Sequence, residues 1–475
     1  MVRQVALLVV LLFVIQWNSL SAQNPLVCRL GFTYEISRSP NWGMGKPVIT
    51  GVYPYSSAEQ MGLKASDIIE SIDGVPVTSV TEADIVGLLN PAGKNDVMLT
   101  ITNLESREKQ TSVRKDSKRL NAMSEDQLAS AYSMYSLETT SDRLFVCPFT
   151  TTVTEDAIDF SMFKTFAFTD VDENNRRLEE VVNAAIETAL TRKGMVFSPE
   201  NPDILVQTFY FFNKNPNYMG SNKVVVHRAP TYRYNYTTKH IDRLPFLNYR
   251  TAEAEAEYLL QFGFRFIDQR YQKGRVIWEC EANELLESAY RLESYAQFHI
   301  PLMCMQYPYV KYKKNVPFSI VKKSYNYTGI SYDVNRLEQV AEVDRSSAAF
   351  AAGIRARDII EKIDNHSMNH STDEFGAAYK RFIVNTSGLR DAKTLFTDAN
   401  GFRHCAYWDK DKYMEVAMAL RDSRYLPAFS YLYKFAPYVD PSAANTCTFF
   451  IKRGNNRMEK VIKPTVRTEA MITIK

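Results

Sequence analysis

The sequence predicts an α+β multidomain fold: two small β-barrel or sandwich modules set around a central α/β domain with a mostly antiparallel sheet. Three observations carry that reading. The chain has 475 residues, a length that divides into about three domains of ordinary size. One stretch near its start returns near its end with the same internal spacing, and such a duplication marks a repeated structural unit. Between the copies the texture changes to strand-forming segments around a long amphipathic helix.

The first residues read as an export signal. A single positive charge at Arg3 precedes an apolar run over 5–15, and Ser19-Leu20-Ser21-Ala22 offers a small-residue cleavage site before Gln23. This is the layout of a secretory signal peptide, and the run is short for a membrane span. The mature protein is expected to start at or near Gln23 and to be soluble outside the cytoplasm. Cys28 follows Val27 rather than the small residue that lipoprotein processing uses.

The repeated stretch comes next. Its first copy is Ser56-Ser57-Ala58 followed by Gly62-Leu63-Lys64-Ala65-Ser66-Asp67-Ile68-Ile69-Glu70-Ser71-Ile72-Asp73-Gly74. The second is Ser346-Ser347-Ala348 followed by Gly353-Ile354-Arg355-Ala356-Arg357-Asp358-Ile359-Ile360-Glu361-Lys362-Ile363-Asp364-Asn365. The serine start caps a one-turn helix and the glycine ends it in a left-handed conformation. The isoleucine run alternates as a strand does, and Asp73-Gly74 or Asp364-Asn365 is turn chemistry.

This pattern resembles the PDZ domain, a peptide-binding module, in its bacterial form. The resemblance implies PDZ-like modules at 23–115 and 320–466. In the first, Arg29-Leu30-Gly31-Phe32 is similar to the carboxylate-binding loop of that family, in which successive backbone N–H groups face an anion. The strand after it would accept a peptide strand. A capped amphipathic helix from Glu82 to Leu89 closes the groove, so Leu30, Gly31, Phe32, Glu82 and Val86 are its implied peptide-binding residues. Glu82 stands where many PDZ domains carry histidine. In the second module Thr328, Gly329 and Ile330 hold the loop position, and Phe375 lies in the implied groove helix over 372–382. The final strands of this module come only at 446–453 and 458–463, leaving an insertion at about 387–443. Its Tyr413 to Leu420 and Phe429 to Phe435 segments are apolar enough to need burial, and the insertion is expected to plug the second groove or fix that module to its neighbour. The first module is then the freer ligand site.

Residues 115–143 read as a linker with a helical piece over 124–135, in which Leu128, Ala131 and Tyr132 share a face. Beyond it lie Phe160-Ser161-Met162-Phe163-Lys164-Thr165-Phe166-Ala167, an amphipathic helix over 177–192, Asn201-Pro202-Asp203-Ile204-Leu205-Val206, a strand over 258–267, and Val276-Ile277-Trp278. Residues 284–294 read as helical. The order and spacing over roughly 144–310 resemble the bacterial domain of unknown function 4136, which implies a fold and an envelope location but no activity. The tyrosine-rich stretch over 210–249 reads as an ordered loop or an extra hairpin.

Composition excludes more than it assigns. The net charge is +3 with 23% charged residues, so no strong field points to nucleic acid or an acidic partner. Six cysteines permit disulfides in an oxidising compartment, yet their spacing contains no Cys-x-x-Cys and their pairing is open. No Gly-x-Ser-x-Gly elbow is present. His366 and His370 fall in turn-rich sequence, where a metal pair is not aligned. The reading is therefore a non-catalytic, exported, peptide-binding scaffold of the bacterial envelope without catalytic residues, metal or cofactor. Its expected partners are protein or peptide C-termini or extended segments. The alternative is an envelope hydrolase, associated with serine peptidases, whose nucleophile lies in the central domain.

Overall fold

The computed structural model describes residues 26–119, 122–125, 143–154, 158–220, 231–238, 240–247, 253–333, 336–368 and 446–475, with scattered positions over 373–422. The signal segment, Phe375 and His370 lie outside the described residues, as does nearly all of the insertion.

Residues 26–119 build the first module. Its strands are β1 (Leu26–Arg29), β2 (Phe32–Ile36), β3 (Pro47–Val52), β4 (Ile68–Ile72), β5 (Val75–Pro76), β6 (Asp96–Thr102), β7 (Lys109–Arg114) and β8 (Asp116–Arg119). Two helices interrupt them, α1 (Ser57–Gln60) and α2 (Glu82–Leu89). The main sheet runs β2-β3-β4-β6-β7, with β5 against β4 and β1 against β8. Ser56 caps α1 by accepting from the Glu59 N–H, and Gly62 leaves it at φ 75°. Thr81 and Asp84 form a reciprocal capping box on α2. Alternation along the strands then buries Ile49, Ile69, Ile72, Leu99, Ile101 and Val113 against Ile85 and Leu89 of α2.

Of the helical piece expected over 124–135, only Ser124, which ends a strand, and Glu125, which is helical, are described. Residues 122–124 form strand β9 (Ala122–Ser124), and the stretch from 126 lies outside the described residues. The central domain follows with β10 (Arg143–Val153), β11 (Thr165–Phe168), α3 (Arg176–Arg192), β12 (Val196–Phe197), β13 (Ile204–Lys214), β14 (Thr231–Asn235), β15 (His240–Leu244), β16 (Tyr258–Asp268), β17 (Val276–Leu286), α4 (Leu292–Met303) and β18 (Lys314–Tyr327). Leu178, Val182, Ile186 and Leu190 recur every fourth residue on the buried face of α3, which packs on α4. The tyrosine-rich stretch folds in part as the hairpin β14–β15. The expected helix over 284–294 is corrected: β17 continues to Leu286, and α4 begins only at Leu292. The ladder with β16 carries the strand through Glu284, Leu285 and Leu286, and the buried Glu284 carboxylate, 1% exposed, pairs with Arg233 at 3.3 Å.

The second module contributes β19 (Ile330–Asp333), β20 (Val340–Val343), α5 (Ala348–Ala351), β21 (Ile359–Ile363), β22 (His366–Ser367), β23 (Cys447–Arg453) and β24 (Asn456–Ile462). They form a three-stranded sheet β20-β19-β9 and a four-stranded sheet β22-β21-β23-β24. The chain then returns as β25 (Thr465–Ile474) along β18. The central sheet thus has eight strands, β12-β11-β13-β16-β17-β10-β18-β25, in which β11 is parallel to β12 and β13 and the other neighbours are antiparallel.

The first module is fastened to this sheet. Trp42, 1% exposed, belongs to the central core with Phe160 and Tyr307, and its indole N–H donates to the Ser66 carbonyl. Glu35, on the face of β2 opposite Phe32 and Tyr34, accepts from Tyr309 at 2.5 Å and Lys311 at 2.7 Å. Lys164 Nζ donates to the Asn103 carbonyl at 2.6 Å. At the junction of both modules, the Arg467 guanidinium of β25 lies 4.6 Å from the Tyr55 ring centre and 3.3 Å from that of Tyr327.

Candidate functional site

Each module presents a strand preceded by a glycine turn, and the two turns are built alike. Gly31 has φ 85° and Gly329 has φ 89°. A Cβ at Gly31 would stand 2.4 Å from Ser56 Cβ, and one at Gly329 would stand 2.1 Å from Ser347 Cβ. Ser56 and Ser347 are the serines that cap α1 and α5, so each copy packs its cap against its own glycine loop. The carbonyl of Gly31 accepts from Tyr53 N–H at 2.8 Å, and that of Gly329 accepts from Asp344 N–H at 2.9 Å. Past the glycines the match continues: Ser66 and Arg357 have φ 77° and 71°, and Asp73 and Asp364 have φ 50° and 48°. Asp67 and Asp358 each accept from the backbone N–H three residues before them at 2.9 Å.

The edges of the two grooves differ. In the first module β2 is the terminal strand of its sheet, with Leu30, Phe32, Tyr34 and Ile36 half-buried along the core. Opposite, α2 buries Ile85 and Leu89 but leaves Glu82 and Val86, one turn apart, exposed, Val86 at 60%. A strand edge of this kind offers unpaired backbone groups to an incoming segment.

In the second module the corresponding edge is taken. β9 of the linker pairs antiparallel with β19, in the register Ser331↔Ser124, Tyr332↔Met123 and Asp333↔Ala122. One residue on, the Glu125 carboxylate accepts from Thr328 N–H at 2.7 Å, from Gly329 N–H at 3.0 Å and from the Thr328 hydroxyl. Glu125 is 2% exposed, and burial pushes its carboxyl up to about 7 against the three hydrogen bonds, which favour the charged form. The segment paired with β19 is the linker, whose extended backbone satisfies the strand's free groups directly; the insertion expected to plug this groove or fix the module to its neighbour lies almost wholly outside the described residues.

Of the residues singled out from sequence, Leu30, Gly31 and Phe32 are contiguous at the start of β2, with Glu82 and Val86 on α2. Thr328, Gly329 and Ile330 gather at the start of β19 around Glu125. Glu125 and its strand were missed. Ser124-Glu125 reads in sequence as the capped start of a helix, and nothing local points to a partner more than 200 residues away.

The hydrolase alternative needs a nucleophile beside a base. His299 of the central domain is fully buried, its Nδ1 is 3.0 Å from the Tyr295 carbonyl, and rings of Phe149, Phe246, Tyr295 and Phe298 surround it. Burial lowers its pKa to about 3, so it is a neutral core histidine. Cys147, Cys280 and Cys304 are buried thiols, and burial pushes Cys147 up to about 11 and Cys304 up to about 12. Among the described residues no group of three or more His, Cys, Asp or Glu side chains is arranged to hold a metal.

Comparison with known proteins finds one PDZ domain and one region of unknown function in the chain. The sequence model of the PDZ domain matches residues 19–102, and that of the domain of unknown function DUF4136 matches residues 150–309. No curated protein matches the chain. A PDZ domain protein from Parabacteroides distasonis, known as a crystal structure, is 62% identical, with 95% of this chain and 100% of that chain covered and a TM-score of 0.82. A PelC dodecamer from Paraburkholderia phytofirmans is 13% identical over 36% of this chain and 98% of that chain, and its TM-score of 0.16 carries no weight. With one PDZ domain, one DUF4136 region and this degree of identity along its length, the chain belongs to the same family as the Parabacteroides distasonis PDZ domain protein.

Proposed function

We propose that the protein is a non-catalytic, peptide-binding scaffold exported to the cell envelope, and that its first groove takes a C-terminus or an extended segment from a partner protein. One observation carries the reading: β2 is the terminal strand of its sheet and starts at the Gly31 turn, while the matching strand of the second module already pairs with another segment. Strand addition along β2 supplies main-chain hydrogen bonds, the loop at Leu30 and Gly31 takes a carboxylate, and Phe32 and Val86 contact the ligand's side chains. Affinity of about micromolar order is expected, since main-chain pairing supplies most of the contacts. The matched turns and hydrogen bonds of the second module support its reading as a second PDZ fold, with Thr328, Gly329 and Ile330 at its loop. The signal-like sequence over 1–22 supports the envelope location.

Screening the full chain against libraries of free C-terminal and internal peptides tests the proposal. Enrichment that is lost in Val86→Lys supports it. Val86 is exposed, so this substitution leaves the core intact. No enrichment, or enrichment indifferent to both Val86→Lys and Gly31→Glu, rejects it. Fractionation of the source cells tests the location, and protein retained in the cytoplasm rejects that part.

A further inference from the structure

We propose that the second groove is a peptide site kept filled by the chain itself, with residues 122–125 lying in it as a bound peptide would and the Glu125 side chain supplying the carboxylate that a peptide ligand would supply from its C-terminus. This rests on reading the second module as a PDZ fold and is independent of what the first groove binds.

Three features separate the arrangement from an ordinary tie between linker and domain. The first is polarity. In the register Asp333↔Ala122 to Ser331↔Ser124, the linker runs toward the start of β19, so its leading end arrives at the glycine turn. A peptide entering carboxylate-first on this edge runs the same way. The second is the anion position. Two successive backbone N–H groups, Thr328 and Gly329, converge on one oxygen of the Glu125 carboxylate at 2.7 and 3.0 Å, while the Thr328 hydroxyl donates to the other oxygen. Consecutive amides around a left-handed glycine make an anion-binding concavity, and the Gly329 φ of 89° provides that turn. The third is the choice of group. The chain continues beyond 125, so no backbone carboxylate is available there; a side-chain carboxylate serves the loop and lets the polypeptide pass on. Ala122 and Ser124 are each 8% exposed, so this piece of the linker is packed into the protein rather than laid across its surface.

The consequence is competition. A peptide in trans whose carboxylate reaches the Thr328 and Gly329 amides must displace β9, and displacing it frees the linker between the first module and the central sheet. The chemistry of the competing ligand is that of the cis segment Ala122-Met123-Ser124-Glu125: an extended backbone with small residues at its first and third positions, ending in a carboxylate. Arg467 acts electrostatically on Glu125, Tyr327 and Asp344, each time in favour of negative charge on this side of the loop. It therefore favours an anionic ligand from either source.

The test uses the full chain and a fluorescent, C-terminally amidated hexapeptide with the sequence of residues 120–125, followed by fluorescence anisotropy. A control peptide carries Gln in place of its final Glu. Glu125→Gln preserves the shape of the cis segment and removes its charge, and Glu125→Ala removes the group. Release of the cis segment should tighten binding of the Glu peptide to both variants at least about tenfold relative to the unaltered chain, as expected when a competent state becomes the major one. The Gln peptide should show no such gain. If Glu125→Ala does not fold, Glu125→Gln decides alone. A folded variant that binds the Glu peptide no tighter than the unaltered chain overturns the proposal, and so does an equal gain for the Gln peptide. The gain must also persist with Val86→Lys in the same chain. Its disappearance would place the peptide in the first groove and overturn this proposal while leaving the reading of the first groove standing.

Discussion

Asp67 and Asp358 occupy the same position in the two copies but keep different company, and the difference yields a stability that depends on pH. Asp358 receives Arg453 at 2.7 and 2.8 Å on its two oxygens. The residue at the matching place, one past the end of β6, is Asn103, so Asp67 lacks the guanidinium that Asp358 receives. It borders a cavity of about 110 Å³ lined also by Trp42, Lys64, Arg192 and Lys193. Burial pushes the Asp67 carboxyl up to about 7, opposed by the Lys64 N–H, by the charges of Lys64 and Lys109 and by Asn103. The folded pKa is raised above the unfolded value of 3.8, so its contribution to stability is greatest at low pH and is lost as pH rises through about 7. With about 1.4 kcal/mol for each unit, the loss between pH 5 and pH 7.5 is ~2 to 3 kcal/mol. Lys193 faces the same cavity and desolvation lowers its pKa to about 8, so it keeps most of its charge across that window. Asp67→Asn can keep the bond to Lys64 N–H and removes the titration. Thermal and urea unfolding of both chains at pH 5 and pH 7.5 measures the effect. The first module of the unaltered chain should weaken with pH while that of the variant changes little. Equal pH dependence in the two chains would show that Asp67 ionises without cost and refute the reasoning.

Other substitutions report on neighbouring parts of the fold. Gly31→Ala and Gly329→Ala each combine a left-handed backbone with a clash against a cap serine, and each should cost ~1 to 3 kcal/mol, read as a lower melting temperature. Thr81→Ala removes one half of the α2 capping box and should cost about 1 kcal/mol in urea unfolding. Arg467→Ala removes the contacts to Tyr55 and Tyr327; a loss of ~1 to 2 kcal/mol is expected, with faster proteolysis at the junction of the modules. Unchanged proteolysis would mean that β25 pairing alone holds the junction.

The sequence by itself determined the features set by a few adjacent residues. The repeated stretch specified its helix cap, its glycine exit and its left-handed turn at Asp73 and Asp364, and each module folds those positions alike. The fourfold spacing of Leu178, Val182, Ile186 and Leu190 specified α3 in the same way. Tertiary structure decided matters that rest on pairing between distant segments. Residues 284–286 stay in β17 because they pair with Leu260, Leu259 and Tyr258 of β16, and Arg233, 51 residues earlier, pairs with the Glu284 carboxylate. β18 and β25 join one sheet with the whole second module between them. Most directly, Thr328 and Glu125 lie 203 residues apart, and only the fold brings a linker that reads as a helix start onto a strand edge that needs a partner. Extended backbone gains its hydrogen bonds from whichever strand lies beside it, and no local pattern of side chains names that neighbour.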